Sequence, residues 1–302
     1  MGQTDWRATL DGYFPEPLRA LAQSLSKQDA GRMTELRIRA EQPVCFLAGR
    51  ERLPIETWIP SGNEVRQFVQ ALLGQSVYAR AEELRGGYVT LPGGCRAGLC
   101  GRIVTENGRI HHLQDIASVA LRLARQVPGA ADAAMLHMLE EGRPLSTLFF
   151  STPGCGKTTM LRDVARQLAQ GGFQVGIVDE RSELAACVEG IPQLDVGPST
   201  DVLDACPKAE GMILMLRVFS PQVIITDEIG RAADAEAIEE ASRCGCAVIA
   251  SAHAGSLEEL MRRSATGTLL KQQAFRRYIQ LGPRAKVEKV WNETFGIAYQ
   301  AP

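Results

Sequence analysis

Residues 147–168, TLFFSTPGCGKTTMLRDVARQL, join a short apolar run to a glycine-containing turn and then to an amphipathic helical pattern. This order predicts a buried strand, a tight loop and a helix that packs back on the strand. Such a loop directs several backbone N–H groups, and the positive end of the helix, toward one point that suits a phosphate group. The stretch therefore predicts an α/β domain with a phosphate-binding loop.

The loop misses one position of the P-loop pattern G-x-x-x-x-G-K-[ST], because Ser151 stands where the first glycine is expected. We expect serine to be tolerated at this strand exit, whereas Gly154 and Gly156 need freedom from a side chain. Lys157 is expected to bridge the β- and γ-phosphates of ATP, and the Thr158 hydroxyl to ligate Mg²⁺. A chance glycine turn is the alternative, which the strand–loop–helix order disfavours. The predicted nucleotide-binding residues are Ser151, Thr152, Pro153, Gly154, Cys155, Gly156, Lys157, Thr158 and Thr159.

Three more short apolar runs follow, each next to a turn and a helical stretch: VGIV at 175–178, VIIT at 223–226 and AVIA at 247–250. Runs that are apolar throughout are typical of strands covered on both faces. The pattern predicts a mainly parallel sheet flanked by helices, one of them at 232–243. GMILMLRVFSPQ at 211–222 is too short for a membrane span and contains Arg217, so we expect a core helix there.

The first part of the chain differs in pattern, since polar and apolar residues alternate and glycines recur at turn-like intervals. It predicts a smaller α+β domain at residues 1–125, with helices near 14–28 and 63–73. Pro128-Gly129 breaks any continuing helix, and an alanine-rich helix is expected to start soon after. We therefore expect a linker at 126–140 and the P-loop domain at 141–302.

Composition limits the classes of function. A net charge of −2 gives no general attraction to nucleic acid or anionic lipid, and no run approaches 18 apolar residues. The N-terminus lacks the basic and apolar regions of a signal peptide, so a soluble cytoplasmic protein is expected. The eight cysteines show no paired C-x-x-C spacing, which favours small buried side chains over zinc or disulfides.

Acidic residues and a histidine follow the predicted strands. Asp227-Glu228 ends the run VIIT, an arrangement typical of Walker B, with Asp227 near the Mg²⁺ and Glu228 polarising the attacking water. Acids at an ordinary helix N-terminus are the alternative. His253 ends the last run, and Asp179, Glu180 and Glu183 end the run VGIV. The carboxyl ends of parallel strands gather ligands, so we expect these residues at the site, although a lone histidine is more often structural.

The segments STPGCGKTT, VDERSEL, VIITDEIGRAAD and IASAHAGS, in this order, resemble the Walker A, Asp box, Walker B and His box of the secretion ATPase superfamily. That PilT-like superfamily drives type II and type IV secretion and pilus retraction. The first half is similar to its N-terminal domain, so the resemblance covers the whole chain. It implies a RecA-like P-loop domain preceded by a smaller PAS-like α+β domain. Within the superfamily, the chain most resembles the sporulation branch.

The resemblance implies roles for single residues. Glu228 is then the catalytic carboxylate and His253 senses the γ-phosphate, while Arg96 and Arg102 on the N-terminal hairpins contact nucleotide, with Arg122 a weaker candidate. Asp179 becomes a metal ligand beside Thr158 and Asp227. Secretion ATPases commonly have Glu-Asp where this chain has Asp179-Glu180, which leaves open which acid of Asp179, Glu180 and Glu183 meets the metal-bound water. Many secretion ATPases have glycine where this chain has Asp227, so the resemblance at this position is to an ordinary P-loop ATPase.

The expected function is Mg²⁺-dependent ATP hydrolysis by a homo-oligomeric ring, a hexamer by resemblance. The ring would act peripherally, in the mother cell, on a membrane-embedded partner of the channel between mother cell and forespore. No nucleic acid is expected as a partner. Two alternatives stay open: a nucleic-acid-stimulated RecA-like motor, and a scaffold assembled by nucleotide with negligible turnover.

Overall fold

The computed structural model describes residues 5–48, 51–55, 58–74, 81–106, 108–124 and 126–301. The chain forms two compact units, residues 1–125 and 126–302. Among the described residues, no helix is long and apolar enough to cross a membrane.

The first unit is an antiparallel sheet covered by helices. The sheet order is β3-β2-β1-β6-β5-β4, and every neighbouring pair is antiparallel. A core including Leu36, Phe46 and Phe68 fills the space between sheet and helices. The elements are α1 Trp6–Leu10, α2 Glu16–Ser24, α3 Lys27–Arg32, β1 Glu35–Arg39, β2 Val44–Ala48, β3 Glu51–Ile55, α4 Gly62–Leu73, α5 Ala81–Arg85, β4 Tyr88–Leu91, β5 Cys95–Glu106 and β6 Arg109–Arg122.

The second unit is an eight-stranded mixed sheet in the order β11-β10-β12-β13-β9-β14-β15-β16. Strands β11 to β14 of this order are parallel, and β15 and β16 extend the sheet antiparallel. The elements are α6 Asp132–Met135, β7 Leu139–Glu140, β8 Arg143–Pro144, β9 Thr147–Ser151, α7 Lys157–Gln170, β10 Val175–Asp179, β11 Thr200–Asp204, α8 Lys208–Phe219, β12 Val223–Thr226, α9 Ala232–Arg243, β13 Ala247–His253, α10 Leu257–Arg262, α11 Ser264–Lys271, β14 Arg277–Leu281, β15 Val287–Asn292 and β16 Ile297–Gln300.

Two apolar layers explain why the strands of the second unit are apolar throughout. Phe149 belongs to the layer shared with α7, whereas its neighbours Leu148 and Phe150 belong to the layer shared with α8, α9 and α11. Each strand is thus covered on both faces. The predicted α/β fold is confirmed, with β9, β10, β12 and β13 at the four apolar runs, and α9 spans the predicted 232–243.

Residues 126–140, the predicted linker, belong to the second unit. Ala131, Ala134 and Met138 are buried in the same core as Phe149. The alanine-rich stretch forms only one helical turn, α6, before the β7–β8 hairpin. Small side chains here allow close packing on the sheet rather than marking a long helix.

The expected core helix at 211–222 is α8, and it is buried on one side only. Gly211, Met212 and Met215 face the core, whereas Leu214 and Val218 are exposed.

The cysteines differ in burial. The buried ones are Cys45, Cys95, Cys187 and Cys246, but Cys100 and Cys244 are exposed, so the expectation of buried thiols holds for only part of the set.

Candidate nucleotide site at the ends of the parallel strands

The P-loop of the second unit has the backbone that its glycines permit. Gly154 and Gly156 lie at φ 80° and 98°, in the left-handed region, and α7 begins directly after Gly156. A Cβ on Gly156 would lie 3.1 Å from the Cβ of Ala285. The Ala285 N–H donates to the Cys155 carbonyl oxygen at 2.6 Å, so the turn after β14 holds the loop in place.

Lys157 lies in this loop with its ammonium group surrounded by acceptors. Its Nζ lies 3.2 Å from both the carbonyl oxygen and the hydroxyl of Ser151, and 3.3 Å from the Thr152 carbonyl oxygen. Burial lowers the pKa of Lys157, and the nearby Cys155 and Glu228 counteract part of that shift. Ser151, the residue that departs from the P-loop pattern, therefore contributes an acceptor to the lysine.

His253 connects the P-loop lysine to the Walker B acid. Its Nδ1 lies 2.8 Å from Lys157 Nζ, and its Nε2 lies 3.2 Å from Glu228 Oε2. The neutral tautomer with the proton on Nε2 satisfies both contacts, since the ammonium can only donate and the carboxylate can only accept. Arg181 Nη1 approaches the same Glu228 oxygen at 3.8 Å. Three residues expected at the site from separate segments thus form one connected chain.

Asp227 pairs with a lysine that the motifs did not indicate. Lys208 Nζ lies 3.0 Å from Asp227 Oδ1 and 3.4 Å from Glu180 Oε2, and it donates to the Glu228 carbonyl oxygen at 2.6 Å. The other oxygen of Glu180 lies 3.3 Å from Arg231 Nη1. A lysine at the start of an apolar helix, where the dipole disfavours a cation, is the sequence signal that could have pointed to Lys208.

Asp179 supports the loop after β10. Its two carboxylate oxygens accept backbone hydrogen bonds from Glu183, Leu184 and Ala185 at 2.8–2.9 Å, and its side chain is fully buried. Desolvation raises the pKa of Asp179, and the three backbone bonds lower it in part. These bonds use three of the roughly four lone-pair sites of the carboxylate. The structure therefore gives Asp179 a loop-holding position, and its role as a metal ligand stays a prediction.

Arg162 of α7 holds the same loop from the other side. It donates through Nε to the Leu184 carbonyl oxygen at 2.6 Å and through Nη2 to that of Glu183 at 2.7 Å. Desolvation lowers the pKa of Arg162 to about 10, although Asp179 and Glu183 counteract the shift. The Glu183 side chain itself is exposed. Glu183 thus enters the site through its backbone, and Glu180 is the acid of this loop that reaches the Walker B region.

Thr158 and Asp227 are the residues present that fit a Mg²⁺ ion. Asp227 Oδ1 is buried and accepts no well-aligned hydrogen bond, which leaves coordinating capacity beside its contact with Lys208. Thr158 and Thr159 follow Lys157 in the first turn of α7 and are half-buried. In the described part of the chain, no group of three or more His, Cys, Asp or Glu could hold a metal ion by itself. A site of this kind suits Mg²⁺ that keeps waters and shares phosphate ligands.

The predicted arginines belong to the first unit. The guanidinium of Arg96 lies over the Tyr88 ring at 3.5 Å from its centroid. Arg102 pairs with Asp115 at 3.0 Å and donates to Gln114 at 2.6 Å on the β5–β6 hairpin. Arg122 Nε lies 3.9 Å from Glu35. Within their own unit these arginines have local partners, and the contact of Arg96 and Arg102 with nucleotide stays a prediction.

Two solved structures share the fold of this chain. The Legionella pneumophila ATPase DotB matches 87% of this chain and 75% of its own, with a TM-score of 0.59 and 17% identity. The pilus retraction motor PilT, solved with bound ADP, matches 82% of this chain and 74% of its own, with a TM-score of 0.56 and 14% identity. At these identities the likeness is one of fold, the P-loop α/β fold that the sequence predicts.

The sequence defines the family. A family model described as sporulation stage III, protein AA, matches residues 15–295. The chain is 43% identical over 279 residues to the stage III sporulation protein AA of Bacillus subtilis (strain 168), covering 90% of each. The chain therefore belongs to the sporulation stage III protein AA family, and the resemblance to the sporulation branch is confirmed.

Proposed function

We propose that this protein hydrolyses ATP with Mg²⁺ as a ring-forming, secretion-type ATPase of sporulation. The observation that carries the proposal is the chain Lys157–His253–Glu228, at 2.8 and 3.2 Å, beside a P-loop with left-handed glycines. A histidine joins a cationic group to an acidic group through contacts of hydrogen-bond length. Phosphoryl transfer needs both groups, the first to bind phosphate and the second to orient water.

In the proposed mechanism, Lys157 exchanges its contacts with Ser151 and Thr152 for phosphate oxygens when ATP binds. Glu228 orients the attacking water, and His253 links the lysine to that carboxylate. Loss of the γ-phosphate would therefore change the contacts of both Lys157 and Glu228. Thr158 and Asp227 would hold Mg²⁺, and the chemistry that the ion would supply is neutralisation of the negative charge that develops on the phosphates. Asp179 would hold the loop at 180–185, and its role as a metal ligand stays a prediction.

The proposed ring and its partner are based on the family and on the fold, and not on a contact within this chain. We propose a homohexamer in the mother-cell cytoplasm, peripheral at the membrane, acting on a membrane-embedded component of the channel to the forespore. Arg96 and Arg102 would then supply positive charge to a nucleotide, within one subunit or between neighbours. The PAS-like assignment of the first unit is part of the same proposal.

The test is phosphate release from Mg·ATP at increasing protein concentration, with the molecular mass followed by light scattering. Glu228→Gln is expected to bind ATP and to lower turnover by about 10²-fold or more, as loss of a general base does. Lys157→Ala should lose nucleotide binding. The matched control is Glu236→Gln, an exposed acid of α9, which should retain wild-type turnover.

Each outcome has a defined meaning. Activity that rises with assembly and disappears in both site variants supports a ring ATPase. Equal turnover in wild type and Glu228→Gln removes Glu228 from the mechanism. Assembly driven by ATP without turnover would favour a nucleotide-built scaffold, and strong stimulation by single-stranded DNA or RNA would favour a nucleic-acid motor.

A further inference from the structure

Lys208 is a buried cation that the proposed hydrolysis does not use. It is the first residue of α8, and only 5% of its side chain is exposed. A positive charge at a helix N-terminus opposes the helix dipole, and a buried charge is costly unless paired. The fold therefore keeps a lysine at a position that is unfavourable for two physical reasons, which calls for a strong local compensation.

The compensation comes from three oxygens that surround one point. Nζ lies 2.6 Å from the Glu228 carbonyl oxygen, 3.0 Å from Asp227 Oδ1 and 3.4 Å from Glu180 Oε2. These oxygens come from two different strand ends, β10 and β12, so the lysine connects the Asp box to Walker B. The contact with the Glu228 carbonyl oxygen is a hydrogen bond, and the contacts with the two carboxylates are ion pairs.

The same three oxygens would suit a hard divalent cation if the ammonium were absent. Two carboxylates and a backbone carbonyl are oxygen ligands of the kind that Mg²⁺ and Mn²⁺ take. Asp227 Oδ1 is buried and makes no hydrogen bond with a described residue, and its contact with the ammonium at 3.0 Å is an ion pair, so the oxygen keeps lone-pair capacity for a cation. The ammonium of Lys208 therefore lies where a metal ion would otherwise be attracted in the nucleotide-free protein.

We infer that Lys208 is a positioning residue, a built-in cation that fills the acidic pocket beside Asp227 and makes divalent-cation binding depend on nucleotide. Repulsion from the ammonium disfavours a metal ion that arrives alone. A metal ion that arrives with ATP brings phosphate ligands and needs fewer oxygens from the protein. The inference rests on the proposed use of Mg·ATP at this site.

The experiment is Mn²⁺ binding to the full chain, followed by the electron paramagnetic resonance signal of free Mn²⁺, with and without ATP. Lys208→Met removes the ammonium and retains an apolar stem. Without nucleotide, this variant is expected to bind Mn²⁺ at least about tenfold more tightly than wild type, because Asp227 loses its counter-ion and Glu180 retains only Arg231. Lys208→Arg retains the charge and should behave as wild type.

Lys271→Met, at an exposed lysine of α11, is the matched control and should leave Mn²⁺ binding unchanged. Unchanged Mn²⁺ affinity in Lys208→Met would overturn the inference and leave the lysine a structural residue only. If Lys208→Met does not fold in metal-free buffer, added Mn²⁺ is expected to restore its circular dichroism, since ligands that bind only the native state stabilise it. Failure of that rescue would also overturn the inference.

A different result would contradict the proposed function. Wild-type protein that binds no Mn²⁺ even with ATP contradicts the proposed use of Mg·ATP. The comparison of Lys208→Met with wild type in nucleotide-free protein still decides the role of the lysine, because it involves neither ATP nor turnover.

Discussion

The two units treat charged side chains in opposite ways. In the first unit, the pair Arg102–Asp115 has both side chains about two-thirds exposed, at 65% and 68%. In the second unit, Lys157, Asp179 and Lys208 are buried; Asp179 ends β10, and the two lysines begin α7 and α8. Surface pairs contribute little to stability, whereas buried charges are costly unless every partner is present. Buried charge of this kind supports the proposal that the chemistry takes place in the second unit.

Sheet direction explains the difference. The first unit's sheet is antiparallel, so strand ends alternate between its two edges and polar residues that end strands are spread apart. In the second unit β9, β10, β12 and β13 run parallel, and all four carboxyl ends meet at one edge. A parallel sheet thus collects the residues that follow its strands, which is why short motifs far apart in sequence make one site.

The largest effect on stability is expected from Asp179→Ala. The substitution leaves three backbone N–H groups without their acceptor in a buried loop, so the second unit should lose about 3 kcal/mol or more of unfolding free energy. Denaturant unfolding measures this loss. Asp115→Asn, at the exposed pair of the first unit, removes the charge and retains a residue type that tolerates the left-handed backbone at φ 45°; as the control, it should change stability by less than about 0.5 kcal/mol. Equal losses at the two positions would contradict the contrast between the units.

A smaller effect is expected from adding one methyl group to a left-handed glycine in each unit. Gly108 in the first unit has φ 73° with open space around a Cβ, so Gly108→Ala should cost only the backbone strain of about 1–2 kcal/mol. Gly156→Ala adds a close approach to Ala285 and should cost more, with loss of ATP binding.

Thermal unfolding and a fluorescent-nucleotide titration of both glycine variants measure these effects. If Gly156→Ala binds nucleotide as wild type does, the P-loop does not depend on the left-handed backbone at Gly156.

The smallest expected effect is the loss of a helix N-cap, which should destabilise a helix by the same amount in both units. Ser61 caps α4 by accepting from the Glu64 N–H at 3.3 Å, and Ser256 caps α10 by accepting from the Glu259 N–H at 3.3 Å. Ser61→Ala and Ser256→Ala should each destabilise their helix by about 1 kcal/mol. Native-state hydrogen exchange in each helix measures the change. A much larger loss in one unit would show that the units differ in more than their buried charges.

Much of the second unit could be predicted because its signals are local. Apolar runs of four residues predicted the parallel strands β9, β10, β12 and β13, whereas the parallel strands β11 and β14 contain polar residues and were not predicted. His253 ends β13, and Lys157 and Glu228 come shortly after β9 and β12, so the sheet topology brings the three residues together. The burial of Ala131 and Ala134, inside the predicted linker at 126–140, depends on the sheet that they pack against, which a Pro-Gly pair does not report.

Lys208 and Asp179 show where the sequence was insufficient. Lys208 lies 20 residues from Glu228 with no motif around it, and its contacts arise only when α8 packs beside β10 and β12. Asp179 has the residue type of a metal ligand, but the path of the following backbone decides that its oxygens accept N–H groups instead. Residue type suggests a chemistry, and the local chain path selects among the partners.

The hydrogen bond from Ala285 to the Cys155 carbonyl oxygen bears on how the loop at 151–156 would bind the proposed nucleotide. The turn that makes it holds Arg284 and Ala285 at φ 61° and 60°, a strained backbone that the surrounding sheet must maintain. In the proposed ATPase, this turn would hold the loop at 151–156 in the shape that meets a phosphate group, so that little conformational entropy would be left to lose on binding. The entropy of ordering the loop would then be lost during folding and not at each proposed turnover.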